Sequence, residues 1–376
     1  MACTPPGPPE ALAAPDFALI GSAVLERLHL QAGERILLVG APGRWDPLHD
    51  VLTDGARAAG AEALGSWSVA GAGPPEWSTE FTTRLTETEA DGLVDALSVV
   101  DVGVMLPGAT PAHPVYAAYQ EVLRGGIGRA VHFHWLGAYD GSGAELEVDS
   151  EIDAHYQRAL LETDYGSLAE LQMAFEEAAR GMAETDIRVT TPMGTDISFR
   201  IGDRPVTRQD GDASAARALL ARNLIDREIE LPAGAIRVAP VEESVNGRIA
   251  FPDAVWSGEF VQGLVLTFEG GTVVSATAAT NVEAVEAEMA SAAPASRSFR
   301  ELALGFNPLL AVTENTAGAP WIPYYGYGAG VVRLSLGDNS ELGGAVTGGY
   351  VRWNFLTDAT VTVGDEIWVD NGRLVR

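Results

Sequence analysis

The first part of the chain alternates short apolar runs with amphipathic stretches. Arg35-Ile36-Leu37-Leu38-Val39-Gly40 is an apolar run of the length of a buried parallel strand, and a helical pattern over 46–59 follows the turn Ala41-Pro42-Gly43. The alternation recurs, with strands predicted near 63–69, 100–106 and 130–135 and helices near 87–97 and 112–123. A helical region from 150 to about 184 closes this part. From Ile187 onward short strands are separated by turn residues, among them Met193-Gly194-Thr195-Asp196, Asn246-Gly247, Glu269-Gly270-Gly271 and Asp370-Asn371-Gly372. Helical patterns interrupt this texture only at 213–221 and 282–291. The patterning predicts a flexible arm over 1–15, an α/β N-terminal doubly wound domain over 16–186, and a C-terminal mainly antiparallel α+β domain over 187–376.

Composition narrows the partners. The chain has 376 residues, 47% of them hydrophobic, which suffices for two cores. Its formal net charge of -28 repels polyanions over most of the surface, so nucleic acid and anionic membranes are not expected partners. All 24 basic residues are arginines, which removes Schiff-base lysines, a P-loop lysine and any lysine general base. Cys3, the single cysteine, can form no intrachain disulfide and reads as inert. Residues 1–15 lack the pattern of a signal peptide, and no apolar stretch has the length of a membrane span, so a soluble cytoplasmic protein is expected.

Few motifs point to chemistry. Gly40-Ala41-Pro42-Gly43 occupies the place of a phosphate loop without its glycine spacing, so nucleotide binding is not expected. His132 and His134 alternate on a predicted strand, share a face, and could share a metal. Two histidines specify no third ligand, and a structural role is the preferred reading. The other histidines are His29, His49, His113 and His155, so a histidine-ligated metal wholly within 156–376 is excluded by inventory.

Three segments near the C-terminus carry a resemblance. They are Arg300-Glu301-Leu302-Ala303-Leu304-Gly305-Phe306-Asn307-Pro308, Gly330-Val331-Val332-Arg333-Leu334-Ser335-Leu336-Gly337-Asp338-Asn339 and Tyr350-Val351-Arg352-Trp353-Asn354-Phe355. In order and spacing they resemble the aminopeptidase T family of dinuclear metallopeptidases, which shows E-x-G-x-G-x-N-P, then V-H-x-A-L-G-D-N, then H-x-D. Further marks are Val189-Thr190-Thr191-Pro192-Met193-Gly194-Thr195-Asp196-Ile197, Leu231-Pro232-Ala233-Gly234, Ala239-Pro240-Val241-Glu242 and Val245-Asn246-Gly247. The resemblance implies an aminopeptidase T-like fold, shared by a ring-cleaving dihydroxypyridine dioxygenase that uses iron, and a homodimer. It also assigns five metal-ligand positions, and here these hold Ala235, Glu301, Arg333, Arg352 and Asn354, so that only Glu301 keeps the family's residue.

Arginine is always protonated and has no lone pair for a metal. A guanidinium about 4 Å from a dication costs on the order of 8 kcal/mol at an effective dielectric near 20, and one carboxylate cannot offset two such terms. No metal and no other cofactor is therefore expected at this position. The replacements suggest a polar cleft in which Arg333, Arg352 and Asn354 stabilise charge and Glu301 transfers protons, with Glu301 as a salt-bridge partner the competing reading. The loop Trp321-Ile322-Pro323-Tyr324-Tyr325-Gly326-Tyr327-Gly328 is dense in aromatics, and Tyr324, Tyr325 and Tyr327, with Ser335 and Trp353, are the expected substrate-binding residues.

The expected function is a metal-independent enzyme of lyase, cyclase or hydrolase type acting on a small polar or anionic molecule. Two alternatives stand beside it. One is a metallo-aminopeptidase or ring-cleaving dioxygenase with a displaced metal site using His132 and His134; the other is a non-catalytic protein that binds a ligand or partner.

Overall fold

The computed structural model describes residues 14–180 and 186–376. Cys3 and most of the predicted N-terminal arm lie outside the described residues.

The apolar runs of the first part form a parallel sheet in the order Glu62–Ser68, Arg35–Gly40, Val102–Met105, Arg129–His132, Glu228–Glu230. Its fifth strand comes from beyond residue 187, so the later part of the chain completes the earlier sheet. Helices cover both faces, starting with Phe17–Leu28, whose first amides are capped by the Asp16 carboxylate, and Asp46–Ala58. The pattern near 87–97 resolves into Glu80–Glu87, with a capping box at Thr79, and the short helix Leu93–Leu97. The region 150–184 divides into Ser150–Glu162 and Tyr165–Arg180, and 213–221 shrinks to Ala215–Ala218.

Past residue 187 the two largest antiparallel sheets form, beside smaller ones of two and three strands. An eight-stranded one runs from Thr272–Thr277 at one edge to Arg373–Leu374 at the other. A five-stranded one has the order Val351–Leu356, Val332–Gly337, Phe299–Gly305, Ala235–Val238, Thr207–Arg208. Ile236, Leu302, Leu304, Leu334 and Leu336 belong to the main buried core, and Phe299 meets Phe199 and Phe268 of the larger sheet at ring-centre distances of 5.3 and 6.0 Å. The opposite face of the five-stranded sheet turns toward the parallel sheet and carries charge. Strand alternation alone produces this division, because residues two apart share a face.

Candidate functional site

Glu301 stands at the middle of that charged face. In the ladder Glu301 lies opposite Ser335, Ala303 opposite Arg333, and Arg237 opposite Ala303, so these side chains project together. Glu301 is wholly buried, and Arg237, Arg300 and Arg333 are 5, 2 and 2% exposed. Its Oε1 accepts hydrogen bonds from Arg333 Nη2 at 3.1 Å and Ser335 Oγ at 3.2 Å, and its Oε2 accepts one from Arg237 Nε at 3.0 Å. Arg300 Nη1 lies 2.8 Å from Oε1. The adjacent residues Arg300 and Glu301 can meet because the pairing with Val332–Gly337 shifts register between Phe299 and Glu301, a bulge that re-aims Arg300.

Glu341 joins from the turn Ser340–Leu342, accepting from Arg237 Nη2 at 2.8 Å and from Arg300. Glu230, from the parallel sheet, lies 3.7 Å from Arg237 Nη1. Three guanidiniums thus face three carboxylates, of which Glu301 is wholly buried and Glu230 and Glu341 are partly exposed. Burial alone would raise the Glu301 pKa, but Arg237, Arg300 and Arg333 outweigh it and hold the carboxyl far below the usual carboxylate range. Arg237 is shifted the opposite way: burial disfavours its charge, yet Glu301 and Glu341 hold its pKa well above the ordinary value. Sequence reasoning missed Arg237, Arg300, Glu341 and Glu230. Arg237 had a signal, standing two residues after the replaced ligand position Ala235 and so on the same face.

The expected cleft of Glu301, Arg333, Arg352 and Asn354 does not form. Arg352 and Asn354 lie opposite Leu336 and Leu334 and so project from the apolar face, away from Glu301. Arg352 stacks 3.5 Å above the Trp256 ring and donates to Glu288 Oε1 and the Val255 carbonyl, both at 2.9 Å. Asn354 donates to the Leu334 carbonyl at 3.3 Å.

The aromatic residues also divide. Tyr324 and Tyr327 are fully buried, and the Tyr324 hydroxyl donates to the Leu231 carbonyl at 2.7 Å. Tyr325 accepts from Arg333 Nη1 through its carbonyl at 3.0 Å and packs its ring edge-on to Trp353 at 5.3 Å. Gly305 and Gly328 pin this loop: a Cβ on Gly305 would sit 1.9 Å from the Gly328 oxygen, so the two backbones touch where no side chain fits. These tyrosines wall the charged cluster. Of the expected binding residues, Trp353 lines a cleft.

That cleft has a volume of about 340 Å3 and is lined among others by Tyr139, Val255, Phe260, Arg352, Trp353 and Asn354. Trp353 is 38% exposed, and its ring lies 5.1 Å from the Arg333 guanidinium carbon, so it separates the cleft from the buried cluster.

A second polar group joins His132, the last residue of the strand Arg129–His132, to Glu228, the first residue of the neighbouring strand Glu228–Glu230. His132 Nε2 is 2.9 Å from Glu228 Oε1 and in contact with the Tyr116 hydroxyl, and Gln120 Nε2 donates to Glu228 Oε2 at 3.1 Å. Burial alone would lower the His132 pKa, but the Glu228 carboxylate reverses this and leaves it raised. His134 stacks on His132 at 4.8 Å, as their shared face predicts, and burial pushes its pKa down to about 3.

The donor set does not fit a metal centre. The five positions that the resemblance assigns to metal hold one carboxylate, and both its oxygens are engaged by guanidiniums. Among the described residues no three histidine, cysteine, aspartate or glutamate side chains are grouped to hold an ion, which also leaves His132 and His134 without the ligands of a displaced site.

Residues 185–314 match the family model of the thermophilic metalloproteases (M29). No curated protein sequence matches the chain. Among solved structures, the 2,5-dihydroxypyridine dioxygenase from Pseudomonas putida KT2440 is similar at 15% identity and a TM-score of 0.64, covering 96% of this chain and 96% of that chain. Wild-type AmpT from Thermus thermophilus is similar at 15% identity and a TM-score of 0.57, covering 96% of this chain and 99% of that chain. The chain has an aminopeptidase T-like fold.

Proposed function

We propose that this chain puts its aminopeptidase T-like fold to metal-independent use, binding a small polar molecule in the cleft beside Trp353 while the arginine–glutamate cluster behind holds the wall of that cleft. The observation that carries this reading is the condition of Glu301. Its oxygens are saturated by Arg237, Arg300, Arg333 and Ser335, and a carboxylate held so far below its ordinary range is a poor proton acceptor near neutrality. Glu301 is thus a keystone of charge packing rather than the general base expected from the sequence. The cleft presents the rings of Tyr139, Phe260 and Trp353 beside the amide of Asn354, a combination suited to a planar molecule with a polar edge. A homodimer in the cytoplasm completes the proposal, and sedimentation of the purified chain tests the dimer.

The test combines two measurements. Metal content is determined after expression with zinc, manganese, cobalt and iron supplied, and tryptophan fluorescence is titrated with aromatic carboxylates and heteroaromatic amides. Substoichiometric metal and a saturable fluorescence change that is lost in Trp353→Ala support the reading. Stoichiometric metal that disappears in Glu301→Ala would overturn it and bring back a metallopeptidase or a dioxygenase.

A second reading, turnover by proton transfer, draws on the His132 group, whose imidazole has both a carboxylate and a phenol in contact. Under it, His132→Gln abolishes conversion of a bound cleft ligand without weakening its binding.

A further inference from the structure

We propose that Arg124, Arg222 and Arg227 form a binding site for a small phosphate-class oxyanion, separate from the cleft beside Trp353. A pocket of about 270 Å3 lies where the end of the helix Pro114–Arg124 meets the segment leading into the turn Ile225–Arg227. Three arginines and no acidic side chain line it, in a chain with 52 acidic residues against 24 basic ones.

The three guanidiniums are available to different degrees. Among the described residues neither Arg222 nor Arg227 has a carboxylate within ion-pair distance of its side chain. Arg227 Nη1 donates to the Gly128 carbonyl at 2.8 Å, and Arg222 Nη2 donates to the Asp203 carbonyl. Carbonyls fix the orientation of these groups without neutralising them. Arg124 pairs with Glu121 at 3.1 Å on the open surface, where solvent screens the pair. The nearest buried acid, Asp226, is turned to the Arg222 amide at 3.0 Å and to Arg217 at 3.5 Å. Burial lowers the pKa of Arg227, and Tyr119 and Asp226 offset only part of that effect.

Guanidiniums held in fixed orientations suit the tetrahedral oxygens of phosphate, which they can grip two at a time. The pocket volume lies below the usual range for drug-sized ligands, so the ligand is a free phosphate or a small phosphate monoester.

The test is isothermal titration calorimetry on the full chain with inorganic phosphate, glycerol 2-phosphate and succinate, at ionic strength matched with sodium chloride. Saturable binding at one site per chain is expected for phosphate or its ester, weakened at least tenfold in Arg227→Gln and Arg222→Gln and unchanged in Arg84→Gln, which lies elsewhere on the surface. Which of the two phosphates binds more tightly distinguishes a free ion from a monoester. If circular dichroism shows Arg227→Gln to be unfolded, the exposed Arg222→Gln decides. A weak signal without saturation, equal in all variants, would mean an adventitious ion only and overturn the site; selective binding of succinate would overturn its phosphate character. Neither result bears on the cleft beside Trp353, which none of these variants touches.

Discussion

Replacing Glu301 by glutamine keeps shape and volume and removes one negative charge from the interior. Three guanidiniums, each no more than 5% exposed, then share the charge of Glu341 and the more distant Glu230. Removing one partner from a buried ion pair costs about 3–5 kcal/mol, because a charge is left buried without compensation, whereas an exposed pair contributes about 0–1 kcal/mol. With Glu301 wholly buried and in contact with Arg237, Arg300 and Arg333, the larger figure applies. Arg333→Met leaves Glu301 with two guanidiniums, so it should cost less, about 1.5–3 kcal/mol, the value of a hydrogen bond to a charged group. The double variant should lose less than the sum of the two, since the second change removes a charge that the first left unpaired. Urea unfolding at pH 7, followed by tryptophan fluorescence and by circular dichroism, gives all three values and shows whether the transition is a single step. A loss below about 1 kcal/mol in Glu301→Gln, or a gain, would refute the keystone role, because a carboxylate poised for catalysis or metal can be removed with little damage to the fold.

Other predictions concern neighbouring groups. Arg352→Ala should lower stability by about 1–2 kcal/mol through loss of the Trp256 stack and the Glu288 pair, and its effect should add to that of Glu301→Gln, because the two lie on opposite faces of the sheet. Strong coupling in that double variant would count against the observed register. His49 and His134 are buried with pKa values pushed down from 6.5 to about 3, so the unfolded chain takes up protons that the folded chain refuses. Their contribution is complete above pH about 6.5 and is lost as the pH falls toward about 3, and His134→Gln should flatten this part of a melting-temperature profile. His132 has the reverse sign: its raised pKa adds stability that is full below 6.5 and is lost as the pH rises through its folded value, so Glu228→Gln should abolish a decline on the alkaline side. Identical profiles for wild type and both variants would remove the basis for these assignments.

Much of the site was legible in the sequence, though not the part that determines its chemistry. The alternation in Val332-Arg333-Leu334-Ser335-Leu336 correctly separates a polar from an apolar face, and the retained Glu301 and the substituted Arg333 do meet. The same rule applied within each strand could not relate the strands to one another. Register places Phe355, not Asn354, opposite Arg333, and so puts Arg352 and Asn354 on the far side of the sheet. The bulge that brings Arg300 against Glu301 falls where two adjacent charged residues break the alternation, but that break alone does not say which partner Arg300 meets. The strand Glu228–Glu230, three residues long, was invisible to periodicity and became clear only as the fifth member of the parallel sheet.

By itself the sequence determined the kinds of element and the absence of lysine chemistry, since these depend on residue identity and local spacing. The tertiary structure decided what surrounds Glu301. Long-range pairing brings Arg237 and Arg333 against Glu301 and sets Glu230 and Glu341 beside Arg237, a bulge turns the neighbouring Arg300 to the same carboxylate, and burial there makes these charges interact strongly enough to set the character of Glu301. Neither pairing nor burial is a property of any single segment, and for that reason the sequence showed Glu301 and Arg333 but not the ion cluster in which they stand.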